Sequence, residues 1–316
     1  MAVLITGAAG FIGSHVGAAL RRSGQEVIVT DLVSEADAVR LKRVRDGGAR
    51  YVAGRLTDVL PEVMSEVHEV WHFAANADIP LGLRDTTVDI RESVLLTRHV
   101  MESMREHGVT SLVFPSTSGV YGNGLGPTMT ERDGPLLPVS LYAAGKVAAE
   151  GLISAYCATF GLRARIFRLG NVVGGAMGRG IVRDFIRKLS ENSESLPVRG
   201  DGRQRKSFVL VDDVIAGMRH IGATAADGLP CDVFNLAAGD SIGVGDVARA
   251  VAMAMDLPQP RLIAENTALS WVGDQPVVEL SIDKALATGW RPVHMAFDAV
   301  RIAAERMVRE DLVMPA

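Results

Sequence analysis

Thr6-Gly7-Ala8-Ala9-Gly10-Phe11-Ile12-Gly13 is the stretch whose reading decides the fold. It follows a short apolar run, Val3–Thr6, and opens a helical pattern over Ile12–Ser23. Glycines at such a junction have a physical use. Gly7 permits a tight turn, Gly10 lets the backbone approach a pyrophosphate, and Gly13 lets the helix pack closely on a sheet. The N–H groups of the first helical turn, where Phe11 and Ile12 stand, then face the anion. A glycine triplet alone also describes an ordinary strand-to-helix turn. Asp31 separates the two readings, because it ends the next strand, Val27–Asp31, where a carboxylate can bond a ribose 2′-hydroxyl. It would repel a 2′-phosphate, and no arginine follows directly, so NAD is favoured over NADP. Leu32 follows in the same edge. Asp58 ends the next unit and is read either as an adenine contact or as a solvated loop residue.

Outward from this turn the chain alternates. Arg50–Val52, Val70–Phe73, Ser111–Ser116 and Ala164–Leu169 read as further strands. Asp37–Asp46, Leu60–Glu66, Val88–His107 and Leu141–Phe160 read as helices between them. Near-continuous apolar strands alternating with helices predict a parallel sheet covered on both faces. The fold class is therefore α/β: a Rossmann-type, doubly wound parallel sheet with a smaller, mainly C-terminal α/β substrate domain. Residues 1–170 are expected to form the NAD-binding domain, with a return at about 208–256 signalled by a strand at Val233–Leu236. The substrate-binding region is expected at 171–207 and 257–316. A glycine-rich loop, Gly174–Gly180, precedes a helix-like segment at Ile181–Leu189, and Gly200–Lys206 forms a basic turn.

Bulk composition narrows the classes. Of 316 residues, 48% are hydrophobic and 22% charged, the balance of a well-buried globule. A net charge of −4 without a basic stripe argues against a nucleic-acid partner. No apolar run approaches the ~18–20 residues that cross a bilayer, so no membrane association is expected. Cys157 and Cys231 lie far apart, which predicts no disulfide framework and a reducing, cytoplasmic setting. No His/Cys/carboxylate spacing suggests a metal site.

Tyr142-Ala143-Ala144-Gly145-Lys146 places a phenol and an ammonium four residues apart on one helix face. A free phenol titrates near pH 10 and is a poor base at neutrality. A neighbouring ammonium, with the positive nicotinamide of NAD, would lower that value. Ser116-Thr117-Ser118 ends a strand at the carboxyl edge of the sheet, where such folds bind ligands. A hydroxyl there can bond a substrate alcohol and help pass its proton to Tyr142.

In this order the motifs resemble the extended short-chain dehydrogenase/reductases, specifically the NAD-dependent epimerase/dehydratase family. The matching stretches are Thr6–Gly13, His72–Asn76, Val113–Gly122, Tyr142–Lys146, Arg168–Gly174, Gly200–Asp213 and Gly289–Pro292. Within the family the likeness runs toward the UDP-glucose (UDP-galactose) 4-epimerase group. It implies Thr117, Tyr142 and Lys146 as catalytic residues. Phe73, Ala74, Ala75, Ser93 and Leu169, with Tyr142 and Lys146 again, join the glycine-rich turn, Asp31, Leu32 and Asp58 at the cofactor. Ser118, Asn171, Val198, Arg205, Lys206 and Asp274 are implied at the substrate, together with Tyr142.

The dehydratases of the family carry Asp-Glu after the Thr, whereas this chain has Ser118-Gly119. What remains suits reversible oxidation of a secondary alcohol: inversion at C4 of a nucleotide-linked hexose. Uronic-acid epimerase, dehydratase and dehydrogenase readings stay open, as does a non-catalytic NAD-binding regulator. Arg179 and Arg183 either meet a charged sugar substituent or are solvated surface groups. Several positions depart from the family pattern. Ser93 replaces an Asn, Lys206 a phosphate-binding Arg, and Trp271 a second Arg. Leu169-Gly170 replaces an aromatic pair and is expected to leave more room beside the nicotinamide. The apolar faces of Val88–His107 and Leu141–Phe160, which pair across a two-fold axis in relatives, imply a homodimer.

Overall fold

The structure, a computed structural model, describes residues 1–34, 39–123, 128–224, 228–265, 267 and 271–313. Five consecutive buried residues build β1 (Ala2–Thr6), and the glycine-rich turn feeds α1 (Phe11–Arg22). A strand without polar alternation is one buried on both faces, as parallel strands between helix layers are. The chain continues through β2 (Val27–Asp31), α2 (Val39–Arg45), β3 (Arg50–Ala53) and α3 (Leu56–Val63). Next come β4 (Val67–His72), α4 (Leu96–His107), β5 (Ser111–Thr117), α5 (Leu141–Phe160) and β6 (Arg163–Leu169). Short elements follow: β7 (Asn171–Val173), α6 (Ile181–Glu191), β8 (Ser195–Val198), β9 (Arg205–Lys206) and β10 (Phe208–Leu210). Then α7 (Val211–Thr224) leads to β11 (Cys231–Leu236). The remainder holds β12 (Ile242–Gly243), α8 (Val244–Ala254), β13 (Arg261–Ala264), β14 (Val277–Val278), α9 (Asp283–Ala287) and α10 (Ala296–Val313).

The main sheet has seven strands in the order β11-β6-β5-β4-β1-β2-β3. β1 pairs in parallel with β2 and β4, β2 with β3, and β4 with β5. The winding therefore reverses at β1 and β4, and ligands of such sheets gather at the carboxyl ends of the strands flanking that reversal. Thr6, Asp31, His72 and Thr117 are the residues that end β1, β2, β4 and β5.

Two compact units divide the chain. The first comprises Met1–Val120, Leu136–Arg168 and Met218–Phe234; the second comprises Tyr121–Pro135, Leu169–Gly217 and the chain from Asn235. In the first, Leu4, Val70, Leu112 and Phe114 of the sheet pack with Leu60, Met101, Met104, Ala149 and Ile153 of α3, α4 and α5. In the second, Phe208 and Leu210 pack with Phe185, Ile186, Val251, Val300 and Ala303 of α6, α8 and α10. Full burial of each large apolar side chain stabilises by ~1.5–3 kcal/mol.

Some elements differ from their sequence expectation. The helix expected at Leu60–Glu66 begins at Leu56 and narrows to a 3₁₀ turn over Met64–Glu66. The buried set Leu56, Val59, Leu60 and Val63 has helical spacing and outweighs Pro61, which has no N–H to donate back along the helix. The helix expected from Val88 starts with a wide π stretch, Ile90–Leu95, before α4. The start of the helix expected at Asp37–Asp46 lies outside the described residues.

Candidate active site

The first unit carries a dinucleotide cradle. Gly7 has φ +70°, and a Cβ there would lie 2.6 Å from the Ala74 nitrogen; at Gly13 a Cβ would strike the Gly7 carbonyl. The turn and the end of β4 can meet only without side chains. Gly10 caps α1 with no side-chain acceptor, so the first-turn N–H groups around Phe11 and Ile12 point at whatever the turn holds. Asp31 is fixed beside this turn. Its Oδ2 accepts the Ala9 N–H at 2.8 Å and its Oδ1 the Leu32 N–H at 2.8 Å. Each oxygen keeps a further lone pair for a hydroxyl donor. This donor and acceptor set fits a dinucleotide with a free ribose 2′-hydroxyl. Asp58 sits in the exposed first turn of α3, where Thr57 donates to its Oδ1 at 3.0 Å.

A polar chain under the cradle was not legible in the sequence. The Ala74 N–H donates to Thr6 Oγ1 at 3.1 Å, and Thr6 Oγ1 lies 2.7 Å from His72 Nδ1. The other ring nitrogen, Nε2, faces Thr97 Oγ1 at 3.3 Å, so both nitrogens of the buried imidazole meet a hydroxyl. Burial, with the nearby Lys146 charge, pulls the His72 pKa down to about 3. A neutral imidazole therefore holds Thr6 and, through it, the Phe73-Ala74-Ala75 backbone against Gly7.

Ser140 caps α5, accepting the Ala143 N–H at 3.3 Å, and sets the first turn that bears Tyr142. Lys146 is buried; its Nζ donates to the Pro115 carbonyl at 2.9 Å and lies 4.5 Å from the Phe114 ring centre. The helix is thus tied to the end of β5, beside Thr117. Thr117 Oγ1 accepts the Gly119 N–H at 3.1 Å, which leaves its proton available to a ligand. A Cβ on Gly119 would lie 3.1 Å from Ala143 Cβ and 3.4 Å from Thr117 Oγ1, so the Tyr142 turn and the Thr117 turn adjoin. Ser118 is buried directly after it.

The local charges differ from the sequence expectation. Burial, then Asp89, pushes the Tyr142 phenol up to about 12. Burial draws Lys146 down to about 8 against the opposing pull of Glu150 and Asp89. The lowering of the phenol expected from Lys146 does not prevail within the protein's own charges. Asp89 was missed in the sequence. Its Oδ1 accepts from Asn76 Nδ2 at 3.0 Å, while its Oδ2 and the Ser93 hydroxyl are buried without a hydrogen-bond partner. Glu150 and Arg168 were also missed. Arg168 donates to Glu150 through Nε at 3.1 and 3.2 Å and through Nη2 at 2.7 Å, and Ser116 donates to the same carboxylate. The available signal was spacing: Glu150 repeats the four-residue step that joins Tyr142 to Lys146.

The remaining candidates belong to the second unit, as do Arg179, which is exposed, and Arg183, which is half-buried. Lys206 and Asp274, predicted separately, form an ion pair at 2.9 Å, and Lys206 Nζ also donates to the Gln275 carbonyl. Arg205 donates to the Ser241 carbonyl at 2.7 Å. Asn171 is held through its N–H to the Ser207 carbonyl at 2.8 Å, its side chain half-exposed. Val198 is buried in the core and Leu169 at the end of β6. Gly170 does not open the space expected of it: a Cβ there would lie 2.7 Å from the Ser207 carbonyl, so backbone fills the position. Among the described residues no group of His, Cys, Asp or Glu is arranged to hold a metal ion, and no helix is long and apolar enough to cross a membrane.

Residues 3–237 match the model of the NAD dependent epimerase/dehydratase family, and the chain belongs to that family. NAD is its cofactor. A UDP-glucose 4-epimerase of Corynebacterium glutamicum is 30% identical over 93% of this chain and 92% of its own length. The crystal structure of a UDP-galactose 4-epimerase superposes with a TM-score of 0.85 at 33% identity, covering 98% of this chain and 99% of that one. MoeE5, solved with UDP-glucuronic acid and NAD, gives a TM-score of 0.85 at 28% identity, covering 98% and 100%.

Proposed function

We propose that this protein inverts C4 of a UDP-linked hexose through a 4-keto sugar. The observation that carries the reading is the turn of α5 bearing Tyr142 and Lys146, anchored on the Pro115 carbonyl beside Thr117, with Ser118-Gly119 supplying no second acid or base. NAD, when bound, supplies a reversible hydride acceptor. Tyr142 takes the proton of the C4 hydroxyl and later returns it, while Thr117 and Ser118 hold that oxygen. Lys146, four residues on along the same helix, steadies the phenolate as it forms. Ser93 and Asp89 lie next to Gly145 in the same turn. In the second unit, Asn171, Arg205 and the Lys206–Asp274 pair bind the diphosphate, and the β8 segment at Val198 the base. Lys206 brings a point charge already shared with Asp274, which suits orienting a phosphate more than gripping it.

The test is incubation of the purified protein with UDP-glucose and UDP-galactose. The two should interconvert with no net NADH. Stoichiometric NADH, or loss of water from the sugar, would exclude the reading. A uronic-acid substrate is the second reading, favoured by the likeness to MoeE5 with UDP-glucuronic acid; its test is turnover of UDP-glucuronate lost in Arg183→Ala or Arg179→Ala. We also propose a homodimer and a cytoplasmic location. Leu83, Ile90, Leu95 and Leu141 expose apolar side chains around α4 and α5, which a second copy would cover. Light scattering should return twice the chain mass.

A further inference from the structure

Gln275 stands just before β14, the strand that pairs in parallel with β9 and so runs beside Arg205 and Lys206. Its backbone carbonyl accepts a proton of the Lys206 ammonium, which also pairs with Asp274 Oδ1 at 2.9 Å. Its side chain has a different partner: Nε2 donates to the Gly122 carbonyl. One buried residue therefore joins the lysine assigned to the diphosphate to the residue that leaves the 3₁₀ turn Ser118–Tyr121. Lys206, Gly122 and Gln275 all belong to the second unit.

Gly122 has φ +66°, in the left-handed region, so the chain turns sharply where Gln275 takes hold of it. An amide donating to that carbonyl sets how the peptide after Gly122 is turned. The residues before it follow by covalent continuity: Tyr121, Val120 and Gly119, then Ser118 and Thr117. Other bonds keep this segment in place. The Tyr121 hydroxyl donates to Asn235 Oδ1 at 2.7 Å. Met129 donates its N–H to the Glu279 carbonyl at 2.8 Å and accepts the Ser281 N–H at 2.9 Å. These bonds are independent of the Gln275 side chain, whose amide adds the orientation of one peptide.

An ammonium has three protons, and Lys206 gives two of them to Asp274 and the Gln275 carbonyl. A phosphate drawing on Lys206 competes with both acceptors, so the Gln275 backbone responds to whether a diphosphate is present. We propose that Gln275 is a positioning residue that couples occupancy of the diphosphate site at Lys206 to the turn bearing Ser118, next to Thr117. The coupling rests on the assignment of Lys206 to the diphosphate and of Thr117 and Ser118 to the C4 oxygen. Because Lys206 is held by the backbone carbonyl, a change of the Gln275 side chain cuts the link to the turn and leaves the lysine its partners. The sugar is then gripped at its phosphates while its reacting hydroxyl is less well placed, which lowers turnover more than binding.

The experiment compares the wild type with Gln275→Met, which keeps the length of the side chain without its donor, and Gln275→Glu, which puts an acceptor where the donor stood. The first readout needs no turnover: amide hydrogen exchange of the NAD-loaded protein with and without UDP. In the wild type UDP should slow exchange at 118–123 together with 196–206. In both variants the protection at 196–206 should persist, which also shows that they are folded, and the protection at 118–123 should be lost. The second readout is kinetic. With UDP-galactose, kcat should fall ~10–10²-fold while the Kd for UDP, measured by calorimetry, keeps its wild-type value. Protection of 118–123 retained in both variants, or absent from the wild type when 196–206 is protected, would overturn the coupling alone; so would a rise in KM and UDP Kd at unchanged kcat. No UDP protection at 196–206 in the wild type would remove the diphosphate assignment and the coupling with it. If UDP-galactose is not turned over at all, the epimerase reading falls, and the exchange arm still decides whether Gln275 links the two segments.

Discussion

Within the protein's own charges Tyr142 is a reluctant base, because a half-buried phenol next to Asp89 resists ionisation. Removing its hydroxyl should therefore cost chemistry and spare binding: Tyr142→Phe is expected to lower kcat by ~10²–10⁴ while its Kd for NAD, measured by calorimetry, stays near the wild-type value. A comparable loss of NAD affinity would mean that the phenol holds the cofactor in place of the substrate proton. His72 makes the opposite kind of contribution. Its folded pKa of about 3 lies below the unfolded value of 6.5, so the unfolded chain binds the extra proton between those values. Stability from His72 is present above pH 6.5 and is lost as pH falls toward 3. His72→Gln should flatten the slope of unfolding free energy between pH 5 and 6.5 by up to ~1.4 kcal/mol per pH unit. Urea titrations across that window measure it; an unchanged slope would mean that the ring is protonated in the fold.

At the scale of elements, the buried Glu150–Arg168 pair joins α5 to β6, and Ser116 adds β5 to the same carboxylate. Glu150→Ala removes the carboxylate that pairs with a buried guanidinium and should destabilise by ~3–5 kcal/mol in urea unfolding. A loss under ~1 kcal/mol would show that solvent reaches Arg168 at little cost. This pair marks where reading the sequence stops. β1, β2 and α5 are legible because apolar runs and a clean helical period report burial directly, and the glycine turn, Asp31, Tyr142 and Lys146 are legible because their chemistry fixes their spacing. Asp89, Glu150 and the His72–Thr6 chain are not, since each depends on partners brought together from distant segments. Gly170 shows the converse failure. A missing side chain reads as empty space in a sequence, whereas here the Ser207 backbone occupies it.

At the scale of the molecule, two units each possess a core, and the candidate ligand groups divide between them. Gly7, Asp31, Ala74, Thr117, Tyr142 and Lys146 fall in the first; Asn171, Val198, Arg205, Lys206 and Asp274 fall in the second. A ligand that binds only the native state stabilises what it touches, by ~2.7 kcal/mol at a hundredfold excess over Kd. NAD and the nucleotide should therefore leave separate footprints in amide hydrogen exchange. NAD is expected to slow exchange at residues 7–13, 31–32 and 73–75. UDP added without sugar should slow it at 171 and across 196–206, with no added protection of the glycine-rich turn. Lys206→Ala removes one phosphate partner and frees Asp274 to repel the anion, so it should weaken the UDP footprint while the NAD footprint persists. If UDP protected the first unit alone, the assignment of Asn171, Arg205 and Lys206 to the diphosphate would fall, while the roles proposed for Tyr142 and Thr117 would stand on their own kinetic test.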